Sequence, residues 1–321
     1  MTLTRKNGLL YLAILAGLIV LPSFISTKYY IHLSVLALIW VIVAQGQNLI
    51  QGFTGYVSIA QAGFMGIGAY GTALLGLNFG LPVWLTILSA PLITALFALV
   101  AGYPSLRVKG HYFAIVTLAF NMVIFIVLLN LTDLTNGEAG LMGIPKPGAG
   151  KDGAINFADR TTYYYFVLIA ATGVTALTAL IVNSRLGRVL VAIRQNETLV
   201  GAAGLAAWKY KLFAFVVSAM FAGFAGALYA HYQSFINPEI FTIAQSMDAV
   251  LAVILGGSGT ITGPIIGAFA IVFLPEYLRF ADSFRLVIYG LILILATIFM
   301  PRGIVGLASD ALGLLKKRRA R

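Results

Sequence analysis

The chain has 321 residues, 60% hydrophobic and 10% charged, with a net charge of +11. Soluble domains carry about 25% charged residues, so this composition excludes both a water-coated globule and intrinsic disorder. Absence of cysteine excludes a disulfide scaffold or thiolate metal site, and the 34 glycines follow no collagen period, which leaves an integral membrane protein.

A bilayer core about 30 Å thick needs about 20 apolar residues of helix. In chain order, such runs cover 8–26, 31–50, 57–77, 82–103, 111–130, 163–182 and 212–230. Shorter runs at 240–255 and 261–275, and a last one at 286–300, complete the series. The alternation of an outer-membrane barrel is missing. The pattern predicts an all-α polytopic protein of about ten transmembrane or re-entrant helices in a single domain, 1–321. The first run follows Arg5 and Lys6 as a secretory signal would, but it is long for one and no A-x-A-like site follows. It reads as an uncleaved span.

Charge fixes an expected orientation. If 240–275 is two passes hinged at Gly256-Gly257-Ser258-Gly259, one side collects fifteen Lys/Arg against Glu197 and Asp310. The other side holds six against seven acids. The positive-inside rule then puts both termini and the basic tail, 308–321, in the cytoplasm, facing anionic lipid. No basic soluble domain exists to hold nucleic acid.

The longest polar interruption, 132–162, has the Asn136-Gly137 pair and the mixed charge of an exposed extracytoplasmic loop. Its Gly148-Ala149-Gly150-Lys151 run fails the phosphate-loop pattern, because Pro145 and Asp152 stand where Gly and Ser/Thr are required. The chain therefore has no nucleotide site of its own.

Two glycine tetrads echo each other. Gly52-Phe53-Thr54-Gly55 is followed by Gly63, and Gly256-Gly257-Ser258-Gly259 by Gly267, at the same offset. Each separates two apolar runs, as broken helices lining a solute path do. Chance spacing and close helix packing are the alternatives; packing accounts for Gly66, Gly68, Gly71, Gly223 and Gly226. Gln45, Gln47, Asn48 and Gln51 precede the first tetrad and Gln61 follows it, placed to satisfy open backbone. Asn121 is placed to bridge helices. The path candidates are Gly52, Gly55, Ser58, Gln61, Asn121, Asp248, Gly256, Gly257, Gly259 and Thr260. Asp248, the one acid inside a span, either braces the second break or meets a solute amine. His32, His111 and His231 lie near span ends as interfacial residues and form no metal set. Ser258 has the letters of a serine nucleophile, but no histidine follows it to act as base, so no catalytic residue is assigned.

The basic segment 184–211 reads as an amphipathic helix with Leu186, Leu190, Ala192 and Ile193 on one side. Arg188, Gln195 and Asn196 share another face. Such a helix lies on lipid or inserts into a partner. The stretch Ser184 to Phe215 resembles the coupling-loop region of branched-chain amino-acid (Liv-type) permeases of bacterial ABC importers. So do Gly55 through Tyr70, Gly110 through Phe120, Ala225 through Tyr232, Leu255 through Pro264 and Pro301 through Leu307. The resemblance implies a type II ABC-importer permease fold in the inner membrane. It implies a second homologous permease, two cytoplasmic ATPase subunits that bind the ATP, and an extracytoplasmic solute-binding protein. It places the coupling element at 188–204, with Arg188, Arg194, Glu197 and Gly204 at its motif positions. Gln195 departs from the family's usual acid, and Asn121-Met122 replaces its usual Gly-Glu, so no carboxylate role transfers to the fifth span. Amides, urea and other small solutes share this permease type. An ion-coupled secondary transporter or channel is the rival reading.

Overall fold

The computed structural model describes residues 5–24, 27–108, 110–148, 157 and 159–278, then 288, 290–292, 294, 295, 298, 300 and 303–307. Seven of the fifteen residues of the run predicted at 286–300, and the basic tail 308–321, lie outside the described residues.

The first nine predicted runs each coincide with a helix. They are α1 (Arg5–Phe24), α2 (Lys28–Gln47), α3 (Gln61–Phe79), α4 (Val83–Ser105), α5 (His111–Asn130), α7 (Arg160–Asn183), α9 (Ala207–Gln233), α10 (Ile243–Gly256) and α11 (Gly263–Tyr277). A short α6 (Thr132–Thr135) follows α5, and α8 (Arg185–Ala202) joins α7 to α9. Six of the described helices are long and apolar enough to cross a membrane. The glycine-rich α3 falls short by composition, yet its first half is buried throughout. It is screened from lipid by its neighbours.

Local chemistry sets several boundaries. Asp159 caps α7 by accepting from the Thr161 and Thr162 amides at 3.1 and 3.2 Å. The α3 helix stops at Gly80, whose φ of 62° suits a residue without Cβ. The end of α2 widens into a π-helical turn, Asn48–Gly52, and regular structure stops two residues later, from Gly55 to Ala60.

The α2 helix is the buried axis, packed by α7, α9, α10 and α11. The closest pair is α3 and α9. A Cβ at Gly68 would stand 2.1 Å from the Gly223 carbonyl oxygen, and one at Gly226 would stand 1.9 Å from that of Met65. Small residues let backbones approach in this way. Leu88, Leu92, Leu96 and Val100 of α4, spaced by four, are each more than 60% exposed. An apolar stripe of that size requires lipid or a partner rather than water.

Two expectations are corrected. The loop predicted to be exposed at 132–162 is partly docked. Its strand β1 (Leu141–Met142) pairs antiparallel with β2 (Phe235–Ile236), and Ile144 is buried. His231 is not interfacial but fully buried, its Nδ1 2.6 Å from the Pro145 carbonyl and its Nε2 3.0 Å from Thr72 Oγ1. A histidine near a helix end reads as interfacial only while the loop that covers it is unknown.

Candidate functional site

The two glycine tetrads, about two hundred residues apart in sequence, meet. The π turn ending α2 aims Asn48 across the gap: its Oδ1 accepts from the Gly259 amide at 2.9 Å and its Nδ2 donates to the Thr260 carbonyl at 2.8 Å. One turn earlier, Gln45 Nε2 donates to the Ile261 carbonyl at 2.9 Å. Buried backbone polar groups need partners in a membrane, and side chains of the first break supply them for the second. Gln47 serves its own break, donating to the Ser58 carbonyl at 3.0 Å and to Gln51 Oε1 at 2.8 Å.

Corresponding glycines have corresponding roles. Gly52 ends the π turn and Gly256 ends α10, while Gly55 and Gly259 have φ of 80° and 76°, a conformation that favours glycine. Gly63 and Gly267 then sit at close approaches inside the next helix: a Cβ would lie 2.8 Å from Asn121 Oδ1 in the first case and 1.8 Å from the Ala252 carbonyl in the second. Gly257, with φ of 123°, completes the second break, where Thr260 Oγ1 donates to its carbonyl at 2.7 Å and accepts from the Gly263 amide at 3.0 Å.

The α8 helix docks on this junction. Arg194 donates through Nη1 to the Gly52 carbonyl, and its Cγ lies 3.2 Å from where a Gly55 Cβ would be. The same Nη1 is 2.8 Å from the Cβ position of Gly259. Three residues on, Glu197 Oε1 pairs with Lys211 Nζ at 2.7 Å, and Tyr56 donates its hydroxyl to the other carboxylate oxygen. Lys211 Nζ also donates to the Tyr56 hydroxyl at 3.2 Å and lies 4.5 Å from that ring's centre. Lys211 is 1% exposed, so this charge is removed from water and held by its partners. Burial, and then the hydrogen bond to Glu197, raises the Tyr56 phenol above its ordinary range, which keeps it a donor.

Within α8, sequence spacing and structure differ. Leu190, Ile193 and Val200 are buried, but Leu186 is 38% exposed. Asn196 does not continue the polar face: its φ of −161° and ψ of 101° break the helix, and its Oδ1 accepts from the Leu199 amide at 3.1 Å as the cap of a second short helix. Helical spacing counted through Asn196 misplaces its neighbours. Gly204, φ 80°, closes α8 in a Schellman turn, with Leu205 N–H to Val200 and Gly204 N–H to Gly201. Arg188 is exposed and takes no part in the junction's contacts given above.

Deeper in the bundle, Ser58, Gln61 and Asn121 gather at the start of α3. Asn121 Oδ1 accepts from the Gly63 amide at 2.5 Å, and Gln61 Nε2 donates to Ser218 Oγ at 2.6 Å. Ser58 Oγ accepts from the Ala60 amide at 3.4 Å. Asp248, half-buried, sits eight residues before Gly256 on α10, about 12 Å along its axis. Lys211 and Tyr56 are the functional residues that sequence reasoning left out of the site, while Asn48, expected to satisfy backbone at its own break, serves the second break instead. For Lys211 the signal was a lysine directly abutting an apolar run, 212–230.

Together these features define a polytopic all-α membrane protein in which an amphipathic helix, α8, engages paired broken helices. The family described as the permease component of branched-chain amino acid transport systems matches residues 29–297, and the chain belongs to it. The chain is 33% identical to the high-affinity branched-chain amino acid transport system permease proteins LivM of Salmonella typhimurium and Escherichia coli, over 97% of its length and 78% of theirs. It is 27% identical to the permease protein LivH of Escherichia coli, over 83% of this chain and 91% of that one. No solved structure matches it.

Proposed function

We propose that the chain is one of two permeases in an ATP-driven importer for branched-chain or related small amino acids. It rests in the inner membrane with both termini cytoplasmic. A solute-binding protein delivers the solute from outside, and two ATPase subunits dock on α8 from inside. The observation that carries this reading is Arg194, an exposed basic residue on α8 whose guanidinium reaches the meeting point of both helix breaks. A force on α8 therefore acts on the two points where the helices of the bundle are broken. Alternating access follows when closure of the ATPases shifts α8, and α8 shifts the breaks.

The chain supplies no hydrolytic chemistry in this scheme; it converts a push into re-packing. The test is reconstitution with the neighbouring permease, ATPase and binding-protein genes. ATP-dependent leucine uptake by the full set, lost on omission of either the ATPases or this chain, is the expected result. Uphill uptake by this chain alone in liposomes would favour the ion-coupled reading and overturn the proposal.

A further inference from the structure

The start of α3 carries more polar chemistry than a helix end needs. It lies beside α5 in a regular register: the Ile59 amide donates to Thr117 Oγ1 at 3.0 Å, and the Gly63 amide to Asn121 Oδ1 at 2.5 Å. Asn121 is ten residues into the twenty of α5, about 15 Å from its first residue, half-way along the helix. From α10, Ser246 Oγ accepts from the Ala62 amide at 2.9 Å and lies 3.4 Å from Asn121 Oδ1. The orphan amides of a broken helix are thus held mid-bundle by side chains of two other helices. The positive end of the α3 dipole points at the same place.

One donor there is left over. Asn121 is 0% exposed, and its Nδ2 has no hydrogen-bond partner among the described residues. Its orientation is fixed, because turning the amide would set Nδ2 against the Gly63 N–H. A buried, unpartnered donor costs about 1–3 kcal/mol. Holding the Gly63 amide uses only Oδ1, so the donor on the same side chain is left for another partner. Two buried acceptors flank the break, Gln61 Oε1 at the first residue of α3 and Gln47 Oε1 on the side chain that holds the Ser58 carbonyl, neither with a partner among the described residues.

From this we infer that the start of α3 is the transient binding site for the carboxylate of the amino acid in transit, with Asn121 Nδ2 and the Ala62 and Gly63 amides as its donors. The inference rests on the importer reading above. Ser246 Oγ and Asn121 Oδ1 act as stand-in acceptors that hold these two amides until the carboxylate displaces them. The donor set is neutral, without lysine or arginine, which suits a site that must release its solute as readily as it takes it. Every group is buried, so the solute reaches the site only when α5 or α10 moves away from α3.

The test uses the reconstituted full importer with radiolabelled leucine. Asn121→Asp keeps the Gly63 cap but replaces the donor with an acceptor. We expect leucine taken up per ATP hydrolysed to fall at least tenfold, while hydrolysis stimulated by the binding protein stays within twofold of the unaltered complex. Uptake and hydrolysis that are both unchanged, or that fall together, would overturn the site. Failure of the unaltered complex to import with ATP would instead sink the importer reading. Should Asn121→Asp not assemble, Ser246→Cys provides a sole thiol in a chain without cysteine. Its modification by a small methanethiosulfonate during turnover should slow when leucine is delivered. Equal labelling with and without leucine overturns the proposal.

Discussion

Arg194 of α8 donates to the carbonyl of Gly52, the last residue of the π turn that ends α2. That one bond joins the segment proposed to meet the ATPases to the axis of the bundle. Arg194→Ala should reduce uptake per ATP hydrolysed about tenfold or more, with insertion and expression unchanged. Paired assays of leucine uptake and phosphate release in proteoliposomes check this, and unchanged uptake would remove Arg194 from the coupling path.

Gly259→Val should impair transport strongly. The position has φ of 76°, and a Cβ would come within 2.8 Å of Arg194 Nη1 and 3.0 Å of the Gly52 oxygen. Backbone strain of this kind costs about 1–3 kcal/mol for a non-glycine residue. Normal transport at normal expression would show that the turn tolerates a side chain.

The Lys211–Glu197 pair predicts an asymmetric stability pattern. Removing one partner of a fully buried pair costs about 3–5 kcal/mol, and with Glu197 22% exposed the loss here falls below that range. Lys211→Met should therefore lower the thermal midpoint in detergent, and Lys211→Met with Glu197→Gln should recover part of the loss. An additive double mutant would mean that the two charges do not depend on one another.

Asn48→Leu should destabilise the second break rather than its own. It strands the Gly259 amide and the Thr260 carbonyl, at about 1–3 kcal/mol for a buried group left unmade. Increased proteolysis between α10 and α11 is the expected sign, with α2 intact. Unaltered proteolysis there would show the loop to be held by other contacts.

Much of this was legible beforehand, for identifiable reasons. Hydropathy located nine helices because spans need long apolar runs, and the tetrads stood out because Gly-Gly-Ser-Gly makes poor helix. Their meeting was not legible: no local pattern says that Asn48 reaches Gly259 across the bundle. Asn196 deceived the helical spacing because its side chain caps instead of continuing. Burial of Lys211 and His231 depends on partners distant in sequence, Tyr56 in one case and Thr72 and Pro145 in the other. Charge type alone placed both at a water boundary.

Because glycines seat α3 directly on α9, backbone on backbone at Gly68–Gly223 and again at Gly226–Met65, neither helix can slide past the other without collision. They behave as one stiff lever. A nudge at the foot of α9, where Lys211 is tethered to α8, is felt without slack at the other end of the pair, where Thr72 and His231 clasp the loop after α5 through Pro145.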